Sequence, residues 1–309
     1  MTNLSDLRRS RLHEAKDSPI ATLRGSNSGA RFTRQLVRLR FPSWASPAFI
    51  VGGLVVLFWL FAMVFPQALS AYDPLLIVGR RLQAPSALHY LGTDALGRDV
   101  FSRTMYGAQH SLPIALIVVI SAVVIGAAAG SIAGYKGGLV GAAIMRLVDI
   151  TLSFPPILLA MAVAASLGPG LGNAAIAMVV VWWPVYARLV RAQVLEVRER
   201  EHVEAAVAAG ASHFRILTKH ILPLCWMPVL ISATMDLGQV MLLAASLSFI
   251  GLGAMPPTPE WGAMITDGAT YFYDWWIAFG PGMAILTAVL GFNFIGDGLR
   301  DYLDPRSSK

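Results

Sequence analysis

The chain has 309 residues, of which 56% are apolar and only 14% are charged, and its mean hydropathy is +0.61. A soluble domain of this size is not so apolar, so the composition excludes one and predicts an all-α polytopic membrane protein. The single cysteine, Cys225, excludes an internal disulfide bond.

The net charge of +6 is concentrated at the start of the chain. Residues 1–46 contain nine Lys or Arg against three Asp or Glu, and the rest of the chain has no net charge. This arm is polar and rich in serine, which predicts a flexible segment. Because it leads directly into an apolar run, we expect it to contact anionic lipid headgroups and to fix the orientation of the protein, rather than to bind nucleic acid.

The first membrane span is predicted at residues 47–68, within a stretch that has no charge between Arg40 and Asp73. The following residues, 69–111, contain no apolar run long enough to cross a membrane. They are predicted to form an extracytoplasmic segment.

The end of this segment favours an amphipathic helix that lies at the membrane interface. Its apolar face comprises Leu96, Val100, Phe101 and Met105. Asp99 and Arg103 have the i,i+4 spacing of an ion pair. Thr93 or Asp94 is the expected N-cap.

Five further spans are predicted in a core at residues 112–297. The first of these, span two of the chain, occupies residues 112–134. Gly126, Gly130 and Gly134 recur in this span at four-residue spacing. Such a stripe of small residues lets another helix approach closely. We therefore expect these glycines to serve helix packing.

Spans three and four are predicted within the 38 charge-free residues from Ile150 to Ala187. This stretch is too long for one span, and the Gly/Pro/Asn turn at 168–173 divides it. At the start of span three, Arg146 and Asp149 are one turn apart and can pair.

A charged segment at residues 196–223 interrupts the apolar runs. Its first part, Arg198 to Ala209, is rich in strong helix formers. Gly210 then ends the helix by taking the left-handed conformation. Ser212 is the expected N-cap of a second short helix, so the segment forms a helical elbow. Glu196 and Arg200 have the spacing of a favourable pair.

Spans five and six are predicted at residues 224–250 and 275–297, followed by a tail at 298–309. With six spans and the basic arm inside, 20 of the 24 Lys and Arg residues lie inside. That asymmetry agrees with the positive-inside rule, and it places both termini and the elbow in the cytoplasm.

The elbow resembles the EAA loop of the permease subunits of ABC importers. The matching residues are Glu204, Ala205, Ala206, Gly210, Leu222 and Pro223. His220 departs from the general pattern, which has isoleucine there. The sequence HILP at this point, LGTDALGRD at 91–99, the spaced GLG, PP and PEWG at 251–262, and GDGLRDYLDPR at 296–306 are similar to the dipeptide, oligopeptide and nickel branch of these permeases.

The resemblance implies a type I ABC importer permease fold and a role as half of a translocation pathway for peptides. It also implies the partners, namely a second homologous permease subunit, two cytoplasmic ATPase subunits and an extracytoplasmic solute-binding protein. ATP and magnesium would be used by the ATPases, which dock on the elbow, so this chain would be a non-catalytic subunit without a cofactor. The expected location is the inner membrane of a prokaryote.

Two alternatives belong to other classes of protein. An ion-coupled secondary transporter or channel would be expected to have inverted repeats or several intramembrane acids. A membrane-embedded hydrolase would need a nucleophile and a base at membrane depth. The sequence contains neither a P-loop nor a G-x-S-x-G motif, and it suggests no catalytic or metal-binding residues.

Asp236 is the one carboxylate well inside a predicted span, with Gln239 three residues further on. A charge at this depth is costly unless it faces water or a partner, so we expect Asp236 to point away from lipid. Two interpretations stay open. In the first, Asp236 and Gln239 line a water-filled pathway. In the second, Asp236 forms a hydrogen bond to a neighbouring helix or to the second permease subunit.

Overall fold

The structure is a computed structural model that describes residues 46–303. The predictions made for the basic arm and for the end of the C-terminal tail lie outside this range. Within it, regular secondary structure is helical, apart from one isolated bridge between Thr93 and Asp99. The helices are α1 Pro47–Val64, α2 Val100–Lys136, α3 Gly138–Leu152, α4 Pro156–Leu167, α5 Leu171–Arg198, α6 Glu201–Ala208, α7 His213–Arg215, α8 Leu222–Phe249, α9 Trp261–Thr270 and α10 Trp276–Leu303.

Five stretches, built on α1, α2, α5, α8 and α10, are long and apolar enough to cross a membrane. Helices α3 and α4 supply a sixth crossing when the pair is counted as one broken span. The prediction of an all-α polytopic protein with six spans is confirmed in this form. Since successive spans cross in opposite directions, the elbow and the ends of α2 and α5 share one side, here called the elbow side. The opposite side is called the loop side.

The third predicted span consists of two short helices, which are separated at Pro155 and Pro156. Helices α3 and α4 meet at an angle of 93°. Their 15 and 12 residues make them about 22 Å and 18 Å long, each too short for a core of about 30 Å. Pro155 and Pro156 cause the break, because a proline lacks the backbone donor and disfavours helical geometry in the residue before it.

The predicted interfacial helix and span two form a single helix instead, α2, which has 37 residues and is about 56 Å long. Asp99, not Thr93 or Asp94, is its N-cap, and the Asp99 carboxylate accepts a 2.7 Å hydrogen bond from the Ser102 backbone. Val100 and Met105 are buried in protein rather than facing the interface. The helix is much longer than the membrane core, so part of it projects from the membrane.

The core is built around the close contact of α2 with α5. A Cβ atom placed on Gly126 would lie 2.5 Å from the Cβ of Tyr186, and one on Gly134 would lie 2.9 Å from the Cβ of Val194. A Cβ on Gly130 would meet the backbone of Ala187. The glycine stripe thus faces α5, and only residues without a side chain allow the two backbones to come this close.

Residues 69–99, here called the cap, lie on the loop side and contain no helix. Trp276, the first residue of α10, donates its indole N–H to the carbonyl of Thr93 at 3.2 Å. The indole of Trp261 in α9 donates to the carbonyl of Thr104 at 2.8 Å. These bonds join the cap, α2, α9 and α10 at the loop side.

Candidate functional site

The first arm of the elbow is α6, which begins at Glu201. The prediction that it begins at Arg198 is wrong, because Arg198 is the last residue of α5 and a turn at Glu199 and Arg200 separates the helices. Glu201 and Glu204 lie in the first turn of α6, where the helix dipole favours negative charge. The predicted pair of Glu196 and Arg200 is present at 2.8 Å.

Gly210 ends α6 as predicted, with a φ of +75°. Its backbone N–H donates to the carbonyl of Val207 at 2.9 Å, and that of Ala211 donates to the carbonyl of Ala206 at 3.1 Å. These two bonds define a Schellman motif, which satisfies carbonyls that the end of a helix otherwise leaves unpaired. The turn between the two arms therefore has a single defined geometry.

The second arm starts at Ser212, whose hydroxyl caps α7 by accepting from the Arg215 backbone at 3.4 Å. It continues as a π-helical turn, Ile216–Ile221, before α8 begins. The sequence did not predict this turn. Pro223 has no N–H to give to the carbonyl of Lys219, and its ring would clash there in a regular helix, so a wider turn relieves the conflict.

The EAA residues divide between the elbow surface and its interior. Glu204, Ala205, Gly210 and Pro223 are exposed. Ala206 is buried and packs together with Val203 and Ile216, which holds the two arms against each other. Leu222 is half-buried. The elbow thus presents an exposed acidic and small-residue surface on a rigid base.

Asp236 in α8 has a partner within the chain. The hydroxyl of Tyr186 in α5 donates to the Asp236 carboxylate at 2.6 Å. Tyr186 is completely buried, whereas Asp236 is half-buried. Gln239 is exposed, and no described hydrogen bond joins it to Asp236. Sequence reasoning missed Tyr186, although a tyrosine in a charge-free span is a signal for such a polar partner.

The charged residues at the loop side form a buried network. Arg98 donates to Asp94 at 2.6 Å, and Arg103 lies 3.5 Å from the same carboxylate. His89 Nδ1 lies 2.9 Å from Asp99. The predicted pair of Asp99 and Arg103 is therefore wrong, because Asp99 caps α2 and contacts His89 instead. Separating a buried pair leaves an uncompensated charge, so the contact of Asp94 with Arg103 ties the cap to α2.

Two further observations concern ionisable groups. Desolvation raises the pKa of the Asp267 carboxyl in α9, although Arg103 and Arg98 nearby oppose the shift. On the elbow side, Asp149 pairs with Arg188 at 2.7 Å and not with Arg146 as predicted. Within residues 46–303, no group of three or more His, Cys, Asp or Glu side chains is arranged to hold a metal ion.

Comparison with known proteins decides the family. Residues 122–309 match the family described as binding-protein-dependent transport system inner membrane component. The chain belongs to this family. The matched range starts within α2 and contains the glycine stripe, the elbow and Asp236.

Curated relatives of this inner membrane component cover most of its length. The probable D,D-dipeptide transport system permease protein of Escherichia coli strain K12 is 45% identical over 264 residues, which are 85% of this chain and 89% of the relative. A dipeptide transport system permease protein of Alkalihalophilus pseudofirmus is 45% identical over 260 residues, covering 83% of this chain and 85% of the relative.

A solved structure supports the fold of this inner membrane component. The inward-facing MetNI methionine ABC transporter matches with a TM-score of 0.52 at 22% identity, covering 63% of this chain and 94% of the matched one. At this identity the likeness shows the fold alone. Together with the family match, it confirms the predicted type I ABC importer permease fold.

Proposed function

We propose that this inner membrane component is a permease subunit of an ATP-driven importer of di- or oligopeptides. The names of its curated relatives support the substrate class, since of two relatives that are 45% identical one is named a dipeptide and the other a probable D,D-dipeptide transport system permease protein. In this role the chain forms half of a translocation pathway. It pairs with a second homologous permease subunit and receives its solute from an extracytoplasmic binding protein.

The observation that carries the proposal is the elbow. Its exposed surface around Glu204 and Ala205 stands on a base fixed by the Schellman motif at Gly210. A rigid projection of this kind can dock into a partner and pass on its movement without bending. We assign the docking role for two cytoplasmic ATPase subunits to Glu204, Ala205, Ala206, Gly210, Leu222 and Pro223.

The charge distribution supports an orientation with the elbow side in the cytoplasm. Among residues 46–303, that side holds nine Lys and Arg residues, whereas the loop side has four, Arg80, Arg81, Arg98 and Arg103. In this orientation both termini are cytoplasmic and the cap faces the binding protein, in the inner membrane of a prokaryote. ATP and magnesium are used by the ATPases, and this chain is non-catalytic.

Asp236 and Gln239 are proposed to line the pathway. Asp236 remains partly exposed beside its side-chain partners Tyr186 and Trp182, and Gln239 is exposed one turn further along α8. A partly exposed carboxylate inside a span is stable only beside water or another polar group. The exposed part of the carboxylate could attract the ammonium group of a passing peptide.

Reconstitution tests the proposed function. The permease is assembled in proteoliposomes with its second permease subunit, ATPases and binding protein, and uptake of labelled dipeptides is measured. The proposal predicts uptake that needs both ATP and the binding protein. Uptake driven by an ion gradient in the absence of ATP would instead support the alternative of a secondary transporter.

A further inference from the structure

Helix α2 is the central helix of the fold, but the chain does not connect it directly to the elbow. The elbow continues from α5 and into α8, so its movement reaches these two helices through the backbone. Helix α2 packs along α5 and bears the cap at its other end. Movement of the elbow can reach the elbow-side end of α2 directly only through non-covalent contacts.

One such contact joins Tyr135, in the last turn of α2, to His213, the first residue of α7. The Tyr135 hydroxyl lies 2.8 Å from His213 Nδ1. The two rings also meet edge to face, with their centroids 5.8 Å apart. This geometry is a directional contact, since it combines a hydrogen bond of ordinary length with a favourable ring arrangement.

A second contact reaches the same end of α2 from α5. The guanidinium of Arg198 donates to the carbonyl of Gly134 at 3.2 Å and to that of Tyr135 at 3.5 Å. These carbonyls belong to the last turn of α2, where they have no partner within the helix. A cation is also favoured there by the helix dipole. The end of α2 is thus held by both flanks of the elbow.

Between these contacts the elbow is not packed solidly against α2. An open groove of about 440 Å³ lies there, bounded by Tyr135, Arg198, Glu204 and His213 among others. By contrast, the two arms of the elbow are joined by buried apolar residues, Val203, Ala206 and Ile216. The elbow is therefore a firm unit, and its described hydrogen bond to α2, between Tyr135 and His213, lies at the edge of this groove.

We propose that Tyr135 and His213 are positioning residues that transmit movement of the elbow to α2. The inference rests on the proposed function, because it assumes that ATPases move the elbow. Arg198 assists by fixing the end of α2 to α5. In this arrangement, loss of the hydrogen bond leaves ATPase docking intact and weakens the link between hydrolysis and transport.

The test uses the complete importer in proteoliposomes and measures the number of solute molecules transported per ATP hydrolysed. Tyr135→Phe removes the hydroxyl and keeps the ring, and His213→Leu removes its Nδ1 partner. Each is expected to lower the ratio about five-fold, the change in an equilibrium that accompanies loss of one ordinary hydrogen bond. His213→Asn, which keeps a polar atom near the position of Nδ1, is expected to restore most of the ratio.

The double variant and the controls separate transmission from other roles. If the two side chains act as one contact, Tyr135→Phe combined with His213→Leu is no worse than either change alone. Tyr302→Phe, at an exposed tyrosine on the same side, and Thr218→Val, on the second arm, are expected to keep the wild-type ratio. The ATPases are expected to co-purify normally with every variant.

Three outcomes would overturn the inference while leaving the proposed function intact. These are a wild-type ratio in both single variants, a double variant whose loss is the product of the two single losses, and failure of Tyr135→Phe to retain the ATPases. Absence of ATP-driven uptake by the wild-type importer would overturn the proposed function, and this inference with it.

Discussion

At the residue scale, Asp236 shows how a charged side chain is accommodated inside the spans. The hydroxyl of Tyr186 bonds one carboxylate oxygen at 2.6 Å, and Tyr186 in turn packs against the glycine stripe at Gly126. Asp236 is thus bonded to a neighbouring helix, α5, as one of the two interpretations of this residue expected. The same carboxylate is still partly exposed, so the contact with Tyr186 and a role in the pathway are compatible.

The change Asp236→Asn tests the pathway role, because it deletes the charge and keeps the shape and an acceptor for Tyr186. We expect normal assembly and lower transport, with a larger loss for cationic than for anionic peptides. Uptake of a matched set of charged dipeptides measures this selectivity. Unchanged transport of every solute, together with loss of assembly in Asp236→Leu, would leave Asp236 with a structural role only.

At the element scale, the elbow depends on the left-handed conformation of Gly210. A Cβ atom at this position would meet no atom within 4 Å, so a substitution acts through the backbone conformation and not through a clash. A β-branched residue is strongly disfavoured at positive φ, at a cost of about 1–2 kcal/mol or more. Asparagine tolerates this conformation better.

We therefore expect Gly210→Val to weaken ATPase binding, and Gly210→Asn to weaken it less, while the spans insert normally. Glu204→Lys, which reverses an exposed charge on α6, should also reduce binding. Co-purification of the ATPases with each variant measures the effect. Normal co-purification and normal transport in both Gly210→Val and Glu204→Lys would contradict the docking role of the elbow.

The contact of α2 with α5 makes a second prediction at this scale. In Gly126→Ala the added methyl group would be forced against Tyr186 and the backbone of Trp183, which should destabilise the protein by about 1–3 kcal/mol. Gly172→Ala is the matched control, because a Cβ at Gly172 in α5 meets nothing within 4 Å. Thermal unfolding in detergent should show a lower midpoint for Gly126→Ala only. Equal midpoints for the two variants would contradict the close packing of α2 on α5.

Apolar run length and turn residues predicted most helices and turns. They failed where a side chain had more than one possible partner. The elbow turn at Gly210 followed from one residue whose conformational freedom is distinctive. The Pro155-Pro156 pair is itself a signal for a bend in the third span, but the size of the bend, 93°, does not follow from local sequence. Asp99 contacts His89 and caps α2 instead of pairing with Arg103, and this preference depends on how the cap folds, which residue spacing alone does not show. The bond between Tyr186 and Asp236 could not be predicted from residue spacing either.

At the scale of the whole molecule, the two sides of the protein differ in construction. The loop side is tied together by buried ion pairs and by the indoles of Trp261 and Trp276. The elbow side presents exposed arms that reach α2 across an open groove. Buried contacts on the loop side and an open groove on the elbow side are what we expect of a subunit that receives solute on one face and ATPase movement on the other.

The most direct test of this account is the accessibility of the elbow, measured with single cysteines in a Cys225→Ser background. Positions 208 and 273 are both exposed, on the elbow side and the loop side respectively. A membrane-impermeant maleimide should label position 273 from outside the cell. It should label position 208 only in inverted vesicles, and much less once the ATPases are bound. Labelling of position 208 from outside, or full labelling of it in the assembled importer, would contradict the account.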